Sequence, residues 1–446
     1  MNTPRIQNVT DLGGPLKLPY YGHSSLHFGR NERISSQDRN TIRELAKLVA
    51  DIAALPIQEE RRDLWKKHNS LQPVRPLILL FPEGAWEDEL LPVDVLTCEG
   101  FEAKRIEWTL RNRIYFHEHF QDDTVIEKEW IVRKTIHSSG WGLEHKRILS
   151  HDLRGAWKYD PVIKDASDLE KLRLPEITYD EKTSLNELWQ MQELFGDILD
   201  VKLKGIDYIS YHLIGQYADW RGLEEAMMDM YLEPQMLHDT MAFLEEGYHR
   251  IREQWVDQNL LSLNNDSTYQ NSGGNSYTDE LPAPGFDPEH VRPCDMWACA
   301  ESQSLALVGP KQHAEFSLQY EKRLLEPFGL NGYGCCEDLT QKLEDVFTIP
   351  KMRRISISPF ADVDACAPQL GGDYIFSWKP HPAHLVGNFN EERIRSYIRH
   401  TITVAQENGC VLEMILKDTH TCEFHPERFD RWTQIAKEEV DRASGI

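Results

Sequence analysis

In the last third of the chain, short apolar runs recur, and each ends in polar residues. Residues 330–334 run into Cys335-Cys336-Glu337, and Arg354-Ile355-Ser356-Ile357-Ser358 into Pro359-Phe360-Ala361-Asp362. Residues 374–378 run into Lys379-Pro380-His381, and 412–416 into Lys417-Asp418-Thr419-His420. Runs this short and this continuously apolar suit strands buried on both faces of a parallel sheet. Helical patterning over 310–328, 339–347, 390–407 and 426–442 alternates with them. Two earlier runs, 260–264 and 295–300, join the rhythm. Strand alternating with helix implies parallel pairing through right-handed crossovers. Polar residues at the carboxyl end of each strand stand where (β/α)8 barrels carry their active sites. The expected fold is therefore α/β: a (β/α)8 TIM barrel over 76–446, preceded by an N-terminal arm and helical extension over 1–75. No Gly-rich dinucleotide or phosphate loop supports an open, doubly wound sheet.

The extension reads as an irregular arm over 1–38 and two helices. Ile42, Leu45, Leu48, Val49 and Ile52 share one face of the first, over 38–55, and 58–68 forms the second. The run 76–81 is the first barrel strand. Residues 100–155 read differently: 113–119 and 124–132 show the alternation of antiparallel ribbons, so a β-rich inserted lobe is expected there. His117 and His119 then share one strand face, which reads as solvated rather than ligating. Helices are expected over 184–199, 222–231 and 233–258.

Composition narrows the functions available. The 446 residues are 40% hydrophobic and 27% charged, with a net charge of −24. Nucleic-acid binding needs a basic surface, so it is not expected. No apolar stretch of about 18 residues predicts a membrane span, and no signal-peptide core opens the chain, so a cytoplasmic location is expected. Self-association or a protein partner is expected at the arm 1–38 and the lobe 100–155.

Eight cysteines are present. Cys98, Cys366 and Cys410 read as small buried hydrophobes. Cys335, Cys336 and Cys422 stand at strand ends that a barrel brings together, and zinc prefers thiolate and imidazole ligands. The three are the candidate metal ligands, with His420 and Glu337 as further ones. Consecutive strand side chains diverge, so Cys335 and Cys336 need a turn to face one ion. Glu301 is a candidate acid/base or ligand. Asn265, with Asn264 and Asp266, offers polar groups to a substrate. Lys379 and Lys417 suit an anionic group, and Asp418 a pairing role. The ends at Asn265, Glu301, Cys335, Lys379 and Lys417 are expected to line one cavity.

The stretches Gly332-Tyr333-Gly334-Cys335-Cys336-Glu337, 354–359 and 416–422 resemble a branch of the uroporphyrinogen decarboxylase superfamily. The segments Leu213-Ile214-Gly215, Arg221-Gly222-Leu223 and 160–172 add to that resemblance, which spans roughly residues 70–440. The resemblance implies a (β/α)8 barrel and one of two activities: porphyrinogen decarboxylation, or methyl transfer with a methylcobalamin or corrinoid cofactor. In the methyltransferase branch a His-x-Cys and a distant Cys bind zinc. Cys335 matches the first Cys and Cys422 the distant one. Tyr333 stands at the His position, so the third ligand falls to Cys336, Glu301 or Glu337. The Arg-rich N-terminal motif of the decarboxylases is absent from 79–86.

The function expected is thus corrinoid-dependent methyl transfer between a cobalamin or corrinoid protein and a small molecule, assisted by zinc. One rival is a decarboxylase-like lyase that stabilises an anion with Lys379 and Arg354. The other is a non-catalytic barrel that binds a tetrapyrrole or corrinoid.

Overall fold

Six of the apolar runs become strands; the run 260–264 does not, and contributes only an isolated bridge at Leu261. The computed structural model describes residues 7–8, 34–148, 158–270 and 272–445. The first long strand, β1, is Leu77–Leu80. Glu129–Arg133 (β2) and Asp200–Lys204 (β3) form a parallel pair. Then come β4 (Ser210–Tyr211), β5 (Trp297–Ala300), β6 (Leu330–Tyr333), β7 (Met352–Ile357), β8 (Ile375–Trp378) and β9 (Val411–Leu416). Seven of these make one all-parallel sheet in the order β1-β9-β8-β7-β6-β5-β4. All the carboxyl ends therefore lie along one edge. β1, β5, β6, β8 and β9 are buried at every position. Helices cover the sheet, and the helix between β8 and β9, Glu391–Glu407, buries Ile394, Ile398, Ile402 and Ala405 at helical spacing.

The outer edge of β1 is not bare. The Asp123 N–H donates to the Ile78 carbonyl at 2.9 Å. The Asp123 carboxylate accepts from the Ile78 N–H at 2.8 Å, and that of Asp122 accepts from the Leu80 N–H at 2.9 Å. Past β3, Ile206 bridges to Leu261 in parallel sense. The Asn264 amide donates to the Asp207 and Trp297 carbonyls and accepts from the Trp297 N–H, at 2.9–3.0 Å, and so ties this segment to β5.

The amino half of the sheet encloses a polar network. Arg354 donates to both oxygens of Glu413 at 3.0 and 3.2 Å, and to Asn69 at 2.6 Å. His68 reaches Glu413 at 3.0 Å, and the guanidinium lies over the Trp297 ring. His68 and Asn69 end the helix Pro56–Asn69, so this cluster docks the N-terminal extension onto the sheet. Burial works against charge on Glu413, but Arg354 and His68 hold its carboxyl far below the usual range.

The two N-terminal helices, Ser36–Ala53 and Pro56–Asn69, match their expectation. Apart from residues 7–8 and 34–38, the arm at 1–38 lies outside the described residues. The lobe at 100–155 corrects its expectation. Residues Phe101–Tyr115 are an α-helix that runs into a further helical turn at Phe116–Phe120, so the segment 113–119 is not a ribbon. Ala103, Ile106 and Leu110 supply a buried face, and Arg111 pairs with Glu107 one turn earlier. The same segment alternates apolar and polar over a few residues, and the helical period shows only over its full length. His119 stacks on Tyr115 and pairs with Asp430. Nor is 124–132 an antiparallel ribbon: its strand, Glu129–Arg133, pairs in parallel with Asp200–Lys204, while antiparallel pairing comes later, Thr135–Ser138 with Ile177–Asp180 and Lys146–Ile148 with Lys158–Asp160. Residues 149–157 of the lobe lie outside the description. No helix among the described residues is long and apolar enough to cross a membrane.

Candidate active site

The carboxyl edge of the sheet gathers most of the polar residues that follow the strands. At the end of β6, Gly334 adopts φ +93°, a conformation that glycine tolerates and that breaks strand alternation. The turn it makes brings the neighbouring thiols onto one side. Cys335 Sγ and Cys336 Sγ lie 3.7 Å apart, and Cys336 Sγ donates to Asp418 Oδ2 at 3.4 Å. The Cys335 N–H donates to Glu337 Oε2 at 2.7 Å, while the Ser302 N–H donates to Glu337 Oε1 at 3.0 Å. Glu337 thus joins the ends of β5 and β6 from a fully buried position.

The electrostatics separate the groups. The hydrogen-bonding contact with the Cys336 sulfur holds Cys335 below the usual thiol range; burial opposes this and Lys417 reinforces it. Cys336 is pushed up by that same bond and by burial, so it stays protonated. Burial opposes charge on Lys417, yet Tyr269, Cys335 and Asp418 around it raise its pKa well above the usual value. Burial, with Glu301 and Cys335 nearby, lifts Glu337 to about 7. Lys379, at the end of β8, is lowered to about 7 by burial and by Lys417, against the pull of Glu413. Its Nζ donates to the Ser377 carbonyl and hydroxyl at 2.8 and 2.7 Å.

A second group stands at the ends of β4 and β5. His212 Nδ1 and Glu301 Oε1 are 2.5 Å apart, and His212 Nε2 is 2.7 Å from Ser210 Oγ. The other Glu301 oxygen accepts from the Gln303 N–H at 2.5 Å. Burial would lower the His212 pKa, but Glu301 raises it; burial would raise Glu301, but His212 holds it down. The pair therefore favours imidazolium and carboxylate. Lys417 acts electrostatically on Glu301, Cys335, Lys379 and Tyr269 alike, so these groups form one cluster.

Glu301, Cys335 and Lys379 thus share the electrostatic neighbourhood of Lys417. Asn265 is placed otherwise, with its amide donating to the Leu281 carbonyl at 2.8 Å, where it steadies the 264–281 loop. Asp266 is paired with Lys204. Asp418 joins through Cys336. Cys422 does not share a metal-sized site with the other two thiols. Its Sγ donates to Glu89 Oε2 at 2.9 Å, and burial together with Glu89 pushes the thiol up to about 12. Thiolates sharing one zinc at about 2.3 Å must lie within about 4 Å of one another. Among the described residues, Cys335, Cys336 and Cys422 are not a threesome with ligand atoms within 4.8 Å of one another. The thiol set does not fit a single zinc ion.

Tyr333 shows why the His position of the resemblance is unused. Its side chain points away from the thiols, toward the helical segment at 310–325. There its hydroxyl is 2.8 Å from each of Ser302 Oγ, His313 Nε2 and Glu321 Oε2. Arg354, offered as an anion binder in the lyase reading, is committed to Glu413. His212 and Tyr269 were not singled out from sequence. The run 206–211 before His212 reads as a possible strand, but only Ser210–Tyr211 forms one, and the irregular loop before Tyr269 leaves no pattern to find.

No family model matches the sequence, and no curated protein matches it. Among solved structures the chain is similar to a methyltransferase from Methanosarcina mazei, at 11% identity and a TM-score of 0.46. That match covers 84% of this chain and 97% of the other.

Proposed function

We propose that the chain is a methyltransferase on a closed (β/α)8 barrel, with the Cys335 thiolate as the nucleophile. The observation that carries this reading is the meeting of Cys335 with a charged lysine, a protonated thiol and a histidine–carboxylate pair at the carboxyl edge of a parallel sheet. Closure is supported by hydrogen bonds that continue past β1 through Asp122 and Asp123, and by Asn264, which joins Asp207, just before β4, to β5. Thiolate is the nucleophilic form of cysteine, and a lowered pKa makes it both abundant and a better leaving group.

In the reaction Cys335 Sγ attacks the methyl carbon of an activated donor. The sulfur–carbon bond forms as the donor bond breaks, and its electron pair leaves with the donor. A second nucleophile then takes the methyl group, and the thiolate leaves, stabilised by Lys417. The His212–Glu301 pair exchanges a proton with the heteroatom of the small substrate, and Lys379 and Lys417 favour an anionic one. The sequence resemblance supports a corrinoid, free or carried by a partner protein, as the other methyl carrier. No step is drawn through zinc, because the thiols do not fit one ion.

The test is a single turnover with methylcobalamin and a thiol acceptor, followed by the corrinoid absorbance and by mass spectrometry of the Cys335 peptide. The expected result is one methyl group on that peptide and ping-pong kinetics. Cys335→Ser reduces transfer to background, and His212→Asn slows it by about 10²-fold or more. Cys422→Ser stays active. Full activity in Cys335→Ser overturns the reading.

A further inference from the structure

A different set of side chains meets the geometric demand that the thiols fail. β1 and β9 are hydrogen-bonded neighbours, with Leu80 opposite Leu416. Just beyond their carboxyl ends, Glu83, Asp418 and His420 bring one ligand atom each within 4.8 Å of the others. The segment that carries two of them is held firmly. Thr419 Oγ1 donates to the Phe81 carbonyl at 2.5 Å, and the N–H groups of Cys422 and Phe424 donate to Glu89 at 2.7 and 3.1 Å.

Gly84 provides a second, independent observation. A Cβ at this position would lie 3.1 Å from His420 Nδ1 and 3.2 Å from the His420 carbonyl. The absence of a side chain here is what admits the imidazole beside Glu83. Cys336 donates to Asp418 and so orients that carboxylate without itself being needed as a ligand.

We propose that Glu83, Asp418 and His420 form a binding site for a divalent first-row cation such as zinc. Two carboxylates and an imidazole supply two negative charges and the nitrogen and oxygen donors that such ions accept. Tetrahedral zinc with bonds of about 2.0–2.2 Å sets its donor atoms about 3.3–3.6 Å apart, so a contraction of up to about 1.5 Å from the 4.8 Å bound closes the set. His420 is exposed and can make that movement, and exposure leaves an outer position for water or substrate. The site stands whether or not the methyl-transfer reading holds, because it concerns cation binding alone.

The experiment uses the full chain, stripped with chelator, and the metal alone. Calorimetric titration with Zn2+ is expected to show one site in the wild type and in Cys422→Ser. Replacing residues around a metal's ligands costs 10–100-fold in affinity, so losing a ligand is expected to cost at least about 100-fold. Glu83→Gln and His420→Asn are the variants, with unchanged circular dichroism as the check on folding. Co2+ loading is expected to give weak visible bands without an intense sulfur-to-cobalt charge-transfer band. Three results overturn the proposal: no Zn2+ binding by the wild type, binding that survives both variants, or a strong sulfur charge-transfer band that Cys335→Ser removes.

Discussion

The hydroxyl of Tyr333 and the carboxyl of Glu321 show how a single buried group sets a pH response. Burial raises Glu321 to about 8, even though the Tyr333 and Ser317 hydroxyls favour its charged form. An unfolded glutamate titrates near about 4.3. The folded pKa is the higher one, so this contribution to stability is complete below about 4.3 and is lost as pH rises through about 8. Glu321→Gln keeps the group neutral throughout. Its stability relative to wild type is therefore expected to improve between pH 5 and pH 8, read as the difference in urea midpoints. A difference constant over that range contradicts the assignment. The same residues show what was legible at this scale. Glu301, Cys335, Lys379, Lys417 and Asp418 follow apolar runs, and a parallel sheet puts all such ends on one edge. Which way Tyr333 points was not legible, because it depends on Gly334 turning the chain one residue later. Nor was the fate of Cys422, which was decided by Glu89, more than 300 positions earlier in the chain.

Among elements, the helix Pro56–Asn69 is fixed less by its own amphipathic face than by what its end inserts into the sheet. His68 and Asn69 reach Glu413 on β9 and Arg354 on β7, all of them fully buried. Arg354→Met strands the Glu413 carboxylate and is expected to cost about 3–5 kcal/mol, while an apolar replacement of the pair restores much of that loss. Urea denaturation of Arg354→Met and of Arg354→Met with Glu413→Met checks this; a double variant no more stable than the single one refutes it. Sequence patterning found this helix, β1 and β5 to β9, because their apolar spacing is uninterrupted, and it read 206–211 as a possible strand, of which Ser210–Tyr211 forms β4. It misread 113–119, where Tyr115, Phe116 and Phe120 pack around Trp86 from a helix whose polar faces carry His117 and His119.

Across the whole molecule, the outer edge of β1 is held by two carboxylates and one main-chain bond, not by a full neighbouring ladder. Asp123 also takes two hydrogen bonds from Arg75, at 2.9 and 2.5 Å. Burial works against its charge, but Arg75 and the Ile78 N–H keep the carboxyl below the usual range. A depressed folded pKa contributes stability above the unfolded value of about 3.9, and this is lost as pH falls. Asp123→Ala leaves the Ile78 N–H without its carboxylate and is expected to cost about 2–3 kcal/mol at pH 7, allowing for the part-exposed Arg75. The cost shrinks toward pH 3, and equal penalties at both pH values in urea titrations refute it. The strand–helix rhythm was legible from the sequence, but this join was not, since it rests on two aspartates in an unpatterned segment. It also bears on how the chain is made. β1 meets Asp122 and Asp123 only 42 and 45 positions later, whereas Thr419, beside its other neighbour, lies 338 positions beyond Phe81. During synthesis an apolar strand with open edges invites aggregation. One edge of β1 acquires its cover almost as soon as it emerges, long before β9 exists to pair with the other.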